Sequence, residues 1–273
     1  MQRSPINLSV FPAGPGGGNP CPIVLDASGM DAQDMRALAA AHGHESGFVL
    51  PPENPISADF RFRFFVPEHE MEMCGHATLG AAWLLRSRGQ ALGAAIRIET
   101  LSGPVRALFA ADGSVEITQP PGRVEPVTDV GAVLAALGMA EAELSPAAAV
   151  LNASTSRVKT LVPLADLARL HALRPDPALV RAACEAIGST GLYPYAAGQG
   201  GAVHARQFPR NSGYPEDAAT GIAAAALFYG LCAPKAGLIV RQGEAMGRPS
   251  EIRVRCDPEG PGCRLGGHVE VVF

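Results

Sequence analysis

The chain has 273 residues, 47% of them hydrophobic, enough for one large domain or two lobes of roughly 130 residues each. A formal net charge of -4 leaves no broad basic surface, which argues against nucleic acid or an anionic membrane as partner and favours a small ligand. The N-terminal MQRSPINLSVF has no apolar stretch of signal-peptide length and the longest apolar run, 222–231, is too short to span a membrane, so a cytoplasmic location is expected, and six cysteines without a CxxC pair exclude zinc-ribbon and thioredoxin chemistry.

In chain order, residues 5–11 alternate as a strand, the glycine run 14–18 fits no phosphate-loop pattern and reads as a turn, and residues 22–25 form a second short strand. Residues 31–41 carry apolar side chains at helical spacing behind an N-cap candidate, Ser28 or Asp31, and end at Gly43. Glu45 follows at once, between that helix end and the apolar Phe48, Val49 and Leu50. An ionised carboxylate in such a place needs hydrogen-bond donors or a raised pKa, and a raised pKa suits a general acid/base, while a loop-rim acid is the plainer reading of the residue taken alone. Residues 60–66 alternate as a strand and turn into EMCGHATLGAAWLL at 72–85, a helix apolar on every side. A hairpin at 94–99 and 105–109 and a strand at 115–118 lead to Pro120 and Pro121, which mark the lobe boundary. The N-terminal lobe is then 1–119, the C-terminal lobe 120–265, and the last strand, about 266–273, returns to the first lobe.

The second lobe repeats this grammar. Helices are expected at 129–140, 164–173 and 177–187, strands at 157–163 and 202–208, and a second buried helix in EDAATGIAAAALFYGL at 216–231. Strands at 238–242, 252–255 and 268–273 complete it. Several strands plus one apolar helix per half indicate a pseudo-duplicated α+β protein whose site lies in the cleft between the halves.

The two buried helices also carry chemistry. Their first N–H groups have no intrahelical partner, and the helix dipole adds roughly half a positive charge there, so a carboxylate or phosphate is the natural guest. Gly75 and Gly221 would let it approach the backbone, although Ala-rich helices that begin with glycine are also ordinary core helices. His42, His44, His69 and His76 show no metal-ligand spacing with Glu45, so no metal is expected. Only Lys159 and Lys235 are lysines, neither beside a glycine-rich loop, which gives a Schiff-base cofactor or nucleotide site little to build on. Cys184 and Cys232, in apolar helix-like runs, read as core filler.

Five ordered stretches, GNPCPIVL (18–25), HESGF around Glu45, FRFFVPEHEMEMCGHATLGAA (62–82), RNSGYPEDAATGIAAAAL (210–227) and RQGEAMGRPSEIRV (241–254), resemble the PhzF family of phenazine-biosynthesis-like isomerases. That family belongs to the diaminopimelate epimerase and proline racemase fold group. The resemblance implies two lobes, each a barrel-like sheet around one central helix, with no metal or organic cofactor and a homodimeric assembly. It implies an isomerase in which a glutamate moves a proton between carbons of a cyclic amino- or hydroxy-carboxylate, as in trans-2,3-dihydro-3-hydroxyanthranilate isomerase. Carried over by motif, the catalytic residues are Glu45, His76 and Asp217, and the substrate-binding residues are Asn19, Cys74, Gly75, Gly221 and Ile222.

Three departures bear on this. Ile222 stands where phenazine-producing members commonly have a serine, and His44 and Gly47 replace the small residues that commonly flank the glutamate. Cys74 aligns with the first thiol of proline-racemase-like enzymes, but Asp217, Ala218 and Ala219 supply no second one. A racemase or epimerase using Cys74 and Glu45, and a non-catalytic carboxylate-binding protein on the same scaffold, stay open as alternatives.

Overall fold

The structure, a computed structural model, describes residues 4–272, and in it two runs of strands pair in the same order. The first run is β1 (Ile6–Val10), β2 (Asn19–Val24), β3 (Ser46–Leu50), β4 (Phe60–Phe65), β5 (Glu70–Met71), β6 (Ala95–Thr100), β7 (Gly103–Phe109), β8 (Val115–Gln119) and β9 (Arg123–Pro126). Helix α1 (Ala32–His42) lies between β2 and β3, and α2 (Gly75–Ser87) between β5 and β6. After α3 (Val130–Leu137), the second run is β10 (Leu151–Ser154), β11 (Lys159–Pro163), β12 (Gly191–Ala197), β13 (Val203–Ala205), β14 (Phe208–Pro209), β15 (Leu238–Gln242), β16 (Ser250–Cys256), β17 (Cys263–Gly267) and β18 (Val269–Val271). Helices α4 (Leu167–Ala172) and α5 (Pro177–Ala186) lie between β11 and β12, and α6 (Gly221–Gly230) between β14 and β15.

Along the first run, β1·β2 is antiparallel, β2·β3 parallel, β3·β4 antiparallel, β4·β6 parallel, and β6·β7 and β7·β8 antiparallel. The second run repeats that sequence of pairings from β10·β11 to β16·β17. The duplicated α+β architecture expected from the sequence is therefore present in the hydrogen-bond pattern itself. The runs are stitched together where Ile117 of β8 faces Leu265 of β17, where Val124 of β9 faces Ala153 of β10, and where Leu8 of β1 faces Val271 of β18. Each run's ninth strand thus pairs with the first strand of the other run.

Helices α2 and α6 sit inside. Small residues let the sheet close around them: a Cβ on Gly80 of α2 would lie 3.0 Å from Val10 and 3.2 Å from Leu8 of the adjoining strand. All of α6 from Gly221 to Phe228 is buried, the consequence of a sequence with no polar side to turn outward. Helix α1, by contrast, buries only Met35 and Ala39. Asp31 caps it in a reciprocal capping box with Asp34, and Gly43 ends it in a left-handed conformation, φ 66°. That sharp end delivers Glu45 to the start of β3.

Several expectations need correction. The strand anticipated at 202–208 divides into β13 and β14, with Arg206 and Gln207 turning inward between them. Cys184 of α5 is buried in the core that this helix shares with α3, but Cys232 is exposed, because the chain leaves α6 through Cys232 and Ala233 at positive φ. Strands β5, β9, β10, β12 and β17 were not anticipated, and Phe273, at the end of the last expected strand, lies outside the described residues. No helix among the described residues is long and apolar enough to cross a membrane.

Candidate active site

The starts of α2 and α6 meet at the centre of the molecule. A Cβ on Gly75 would lie 3.4 Å from the backbone nitrogen of Ile222, and one on Gly221 would lie 2.6 Å from Leu265. The glycines are needed first so that two helix ends and the β17 side chain can share this space. Cys74 and Thr220 are the N-cap residues, yet neither side chain makes a capping hydrogen bond. Each turns to a carboxylate instead: the Cys74 thiol donates to Glu45 Oε2 at 3.3 Å, and the Thr220 hydroxyl donates to Asp217. Gly75, Gly221 and Ile222, which open the two helices, line one cleft, and the first N–H groups of a helix have no intrahelical partner.

Glu45 finds the donors its position requires. Tyr214 donates its hydroxyl to Oε1 at 2.9 Å, and His76 Nδ1 lies 3.3 Å from Oε2. Burial, and then the Glu45 charge, holds the Cys74 thiol well above its ordinary pKa, so it is a protonated donor at neutral pH. The same two causes in the same order raise the Tyr214 phenol. His76 is 2% exposed, and burial lowers its pKa against the opposing pull of Asp217, which keeps the ring neutral above mildly acidic pH.

Asp217 is pushed up to about 6, first by burial and then by the Glu45 charge, against hydrogen bonds from Thr220 and Asn19. Asn19 Nδ2 reaches across from β2 to Asp217 Oδ1 at 2.7 Å and to the Ala219 carbonyl at 2.9 Å. Gln242 Nε2 donates to the Asp217 carbonyl at 2.8 Å, while its Oε1 accepts from Tyr193 at 2.9 Å. Asn19 therefore stands behind Asp217 and fixes it. The folded state holds the Asp217 proton more tightly than the unfolded state does. Its stabilising contribution is complete below pH 4 and is lost as pH climbs through about 6. Relative to Asp217→Asn, the wild type should lose about 2–3 kcal/mol across that window and level off above it. Parallel melts of both proteins from pH 3.5 to 8 check this, and a constant difference would contradict it.

Glu45, Cys74, His76, Asp217, Gly221 and Ile222, all expected from sequence, share one pocket. The same pocket is lined by Tyr214, Arg157, Lys159 and Gln207, which sequence reasoning did not place there. Lys159 is the clearest of these: read from the sequence only as giving a Schiff-base cofactor or nucleotide site little to build on, it is 4% exposed and lines the cleft. Its signal was a lysine as the one charged residue of the KTLVP strand.

Donor atoms of Glu45, Cys74 and His76 lie within 4.8 Å of one another, as do those of His171, His204 and Glu244 in the second run. In the first group the Cys74 thiol is bonded to Glu45 and holds its proton tightly, which a metal would have to displace. In the second, His204 Nδ1 is hydrogen-bonded to Glu244 and the His171 ring stands edge-on to that of His204 at 6.0 Å.

Comparison with known proteins identifies the family and the fold. The family model described as phenazine biosynthesis-like protein, PhzC-PhzF, matches residues 8–272. An uncharacterized isomerase of Mesorhizobium japonicum is 34% identical over 92% of this chain and 90% of its own. The crystal structure of a PhzF-family phenazine biosynthesis protein of Bacillus anthracis superposes with a TM-score of 0.88 at 25% identity, covering 100% of this chain and 98% of that one. A hydroxyproline epimerase of Agrobacterium vitis shares the fold, with a TM-score of 0.64 at 14% identity over 100% of this chain and 92% of that one.

Proposed function

The chain belongs to the phenazine biosynthesis-like PhzC-PhzF family and is an isomerase, and on that premise we propose that Glu45 moves a proton between carbons of a small carboxylate substrate. The observation that supports this reading is the position of Glu45. Its carboxylate is held by Tyr214 and Cys74 beside two helix starts whose side-chain caps are turned away.

In this reading the substrate carboxylate rests on the N–H groups at the starts of α2 and α6. Glu45 takes a proton from one carbon, the C–H electron pair moves into the conjugated system as the double bond shifts, and protonated Glu45 returns the proton to another carbon. No oxidant is required. Charge that spreads toward the substrate carboxylate during this step meets donors already oriented for it. His76, neutral, and the Asp217 carboxyl bind the amino or hydroxyl substituent, and Asn19 keeps Asp217 in place. Ile222 gives an apolar wall where a serine would offer a hydroxyl, so the substrate class is an amino- or hydroxy-carboxylate related to, and not restricted to, trans-2,3-dihydro-3-hydroxyanthranilate.

The test is proton NMR in D₂O with that compound and a panel of small cyclic and open-chain amino- and hydroxy-carboxylates. Deuterium should enter the product at the carbon that gains the proton. Binding without any exchange across the panel would sink the reading in favour of a non-catalytic carboxylate binder. Cys74→Ala separates proton shuttling by Glu45 alone from a two-base racemase. Because the thiol is held protonated and bonded to Glu45, the variant should keep the rate within about tenfold, and a loss near 10³-fold would make Cys74 the second base.

A further inference from the structure

The cleft holds more positive charge than the proton transfer uses. Lys159 and Arg157 both line it, and among the described residues neither forms an ion pair. Among the described residues the hydrogen-bond partner of the Arg157 side chain is the Met71 sulfur, at 3.4 Å. Burial first, and then the Arg157 charge, brings the Lys159 pKa down to about 8, with Asp217 and Glu45 opposing weakly through space. Two cations beside each other, neither in direct contact with a carboxylate among the described residues, are an arrangement that folding alone does not favour.

Gln207 lies against the same cleft, 1% exposed, with neither Nε2 nor Oε1 hydrogen-bonded. A buried amide left wholly unpaired costs free energy that a ligand can recover. The position is built rather than accidental. The Asp217 N–H donates to the Gln207 carbonyl at 3.0 Å, and a Cβ on Gly191 would fall 2.1 Å from Gln207 Nε2, so only glycine leaves the amide its place. Thr190 fastens the turn that carries both cations, donating to the Val158 carbonyl at 2.9 Å from its N–H and 2.7 Å from its hydroxyl.

We propose that Lys159, Arg157 and Gln207 form a second anion-recognition pole, and that the substrate is a small dicarboxylate. One carboxylate lies on the paired helix starts; the other takes hydrogen bonds from the Lys159 ammonium, the Arg157 guanidinium and Gln207 Nε2. Gln207 Oε1 then accepts from a hydroxyl or amino group of the same molecule. The inference rests on the reading of this cleft as the substrate site and narrows its substrate class.

Calorimetric titration of the wild type with dicarboxylates of four to six carbons, each beside its own mono-amide, tests it directly: succinate against succinamate, glutarate against glutaramate. The members of each pair differ in one charge and little in shape. The wild type should prefer at least one dicarboxylate by about tenfold or more, since hydrogen bonds to charged groups contribute at least that much. Lys159→Met should bind both members of that pair alike, Lys159→Arg should recover part of the preference, and Gln207→Leu should weaken the dicarboxylate alone. Equal binding of every pair by the wild type overturns the second pole and leaves the proton transfer standing; absence of deuterium exchange alongside a clear preference does the reverse. Tighter binding of 3-phosphoglycerate than of any dicarboxylate would also overturn the assignment.

Discussion

Glu45→Gln should leave a folded protein whose turnover and solvent deuterium exchange fall by about 10³-fold. The amide keeps the size of the carboxylate and still offers Oε1 as an acceptor for the Tyr214 hydroxyl, so the wall of the cleft survives. What disappears is the ability to take a proton from carbon and give it back. The Cys74 thiol loses an acceptor in this variant, but a thiol is a weak donor, and the melting temperature should move by only a few degrees. A variant that keeps a tenth of the wild-type exchange rate would remove Glu45 from the reaction and shift attention to Asp217, the other carboxylate of the pocket.

The second large effect is on stability. Arg206 is 3% exposed and donates to both Glu216 oxygens at 2.8 and 2.7 Å, to the Leu170 carbonyl at 3.0 Å and to the Leu173 carbonyl at 2.8 Å, with its guanidinium 4.9 Å over the Phe208 ring. One side chain thereby ends α4, neutralises a half-buried glutamate and fixes the residue next to Asp217. Arg206→Met strands both the Glu216 carboxylate and the helix carbonyls, at a cost of about 3–5 kcal/mol. In a chain of this size the melting temperature should fall by roughly 10 °C. Arg206→Met with Glu216→Gln should recover part of the loss, because the stranded charge is then gone. An unchanged melting temperature in Arg206→Met would show that the pair contributes nothing net.

The parts of the fold visible in the sequence are those with a local cause. Asp31 and Gly43 bracket α1 by capping chemistry, and α2 and α6 announce their burial because no polar face interrupts them. Glu45 could be found for a related reason, as an acid trapped between a helix end and apolar residues. What stayed hidden depends on pairings made across the chain. Strand β12 carries Pro194 in its middle, which local propensity opposes and its neighbours β11, β13 and β14 tolerate. Tyr214, Lys159 and Gln207 come from a loop and the flanks of different strands, and nothing in the residues beside each one says that it will share a pocket with Glu45. Cys232 reads as a continuation of the apolar α6 run, yet the backbone reverses there and turns it to solvent.

The exchange of ninth strands between the two runs has a consequence for how the molecule comes into being. On a ribosome, β9 is already available when β10 emerges, so the second sheet can close as it is made. Strand β1 pairs with β18, nearly the whole chain later, and its edge therefore stays unpaired while almost everything else is synthesised. The half that is translated first is the half that finishes last, which makes the nascent N-terminal sheet the segment that most needs shielding from premature association. Refolding of the intact chain meets the same long-range closure and should have its slowest phase there.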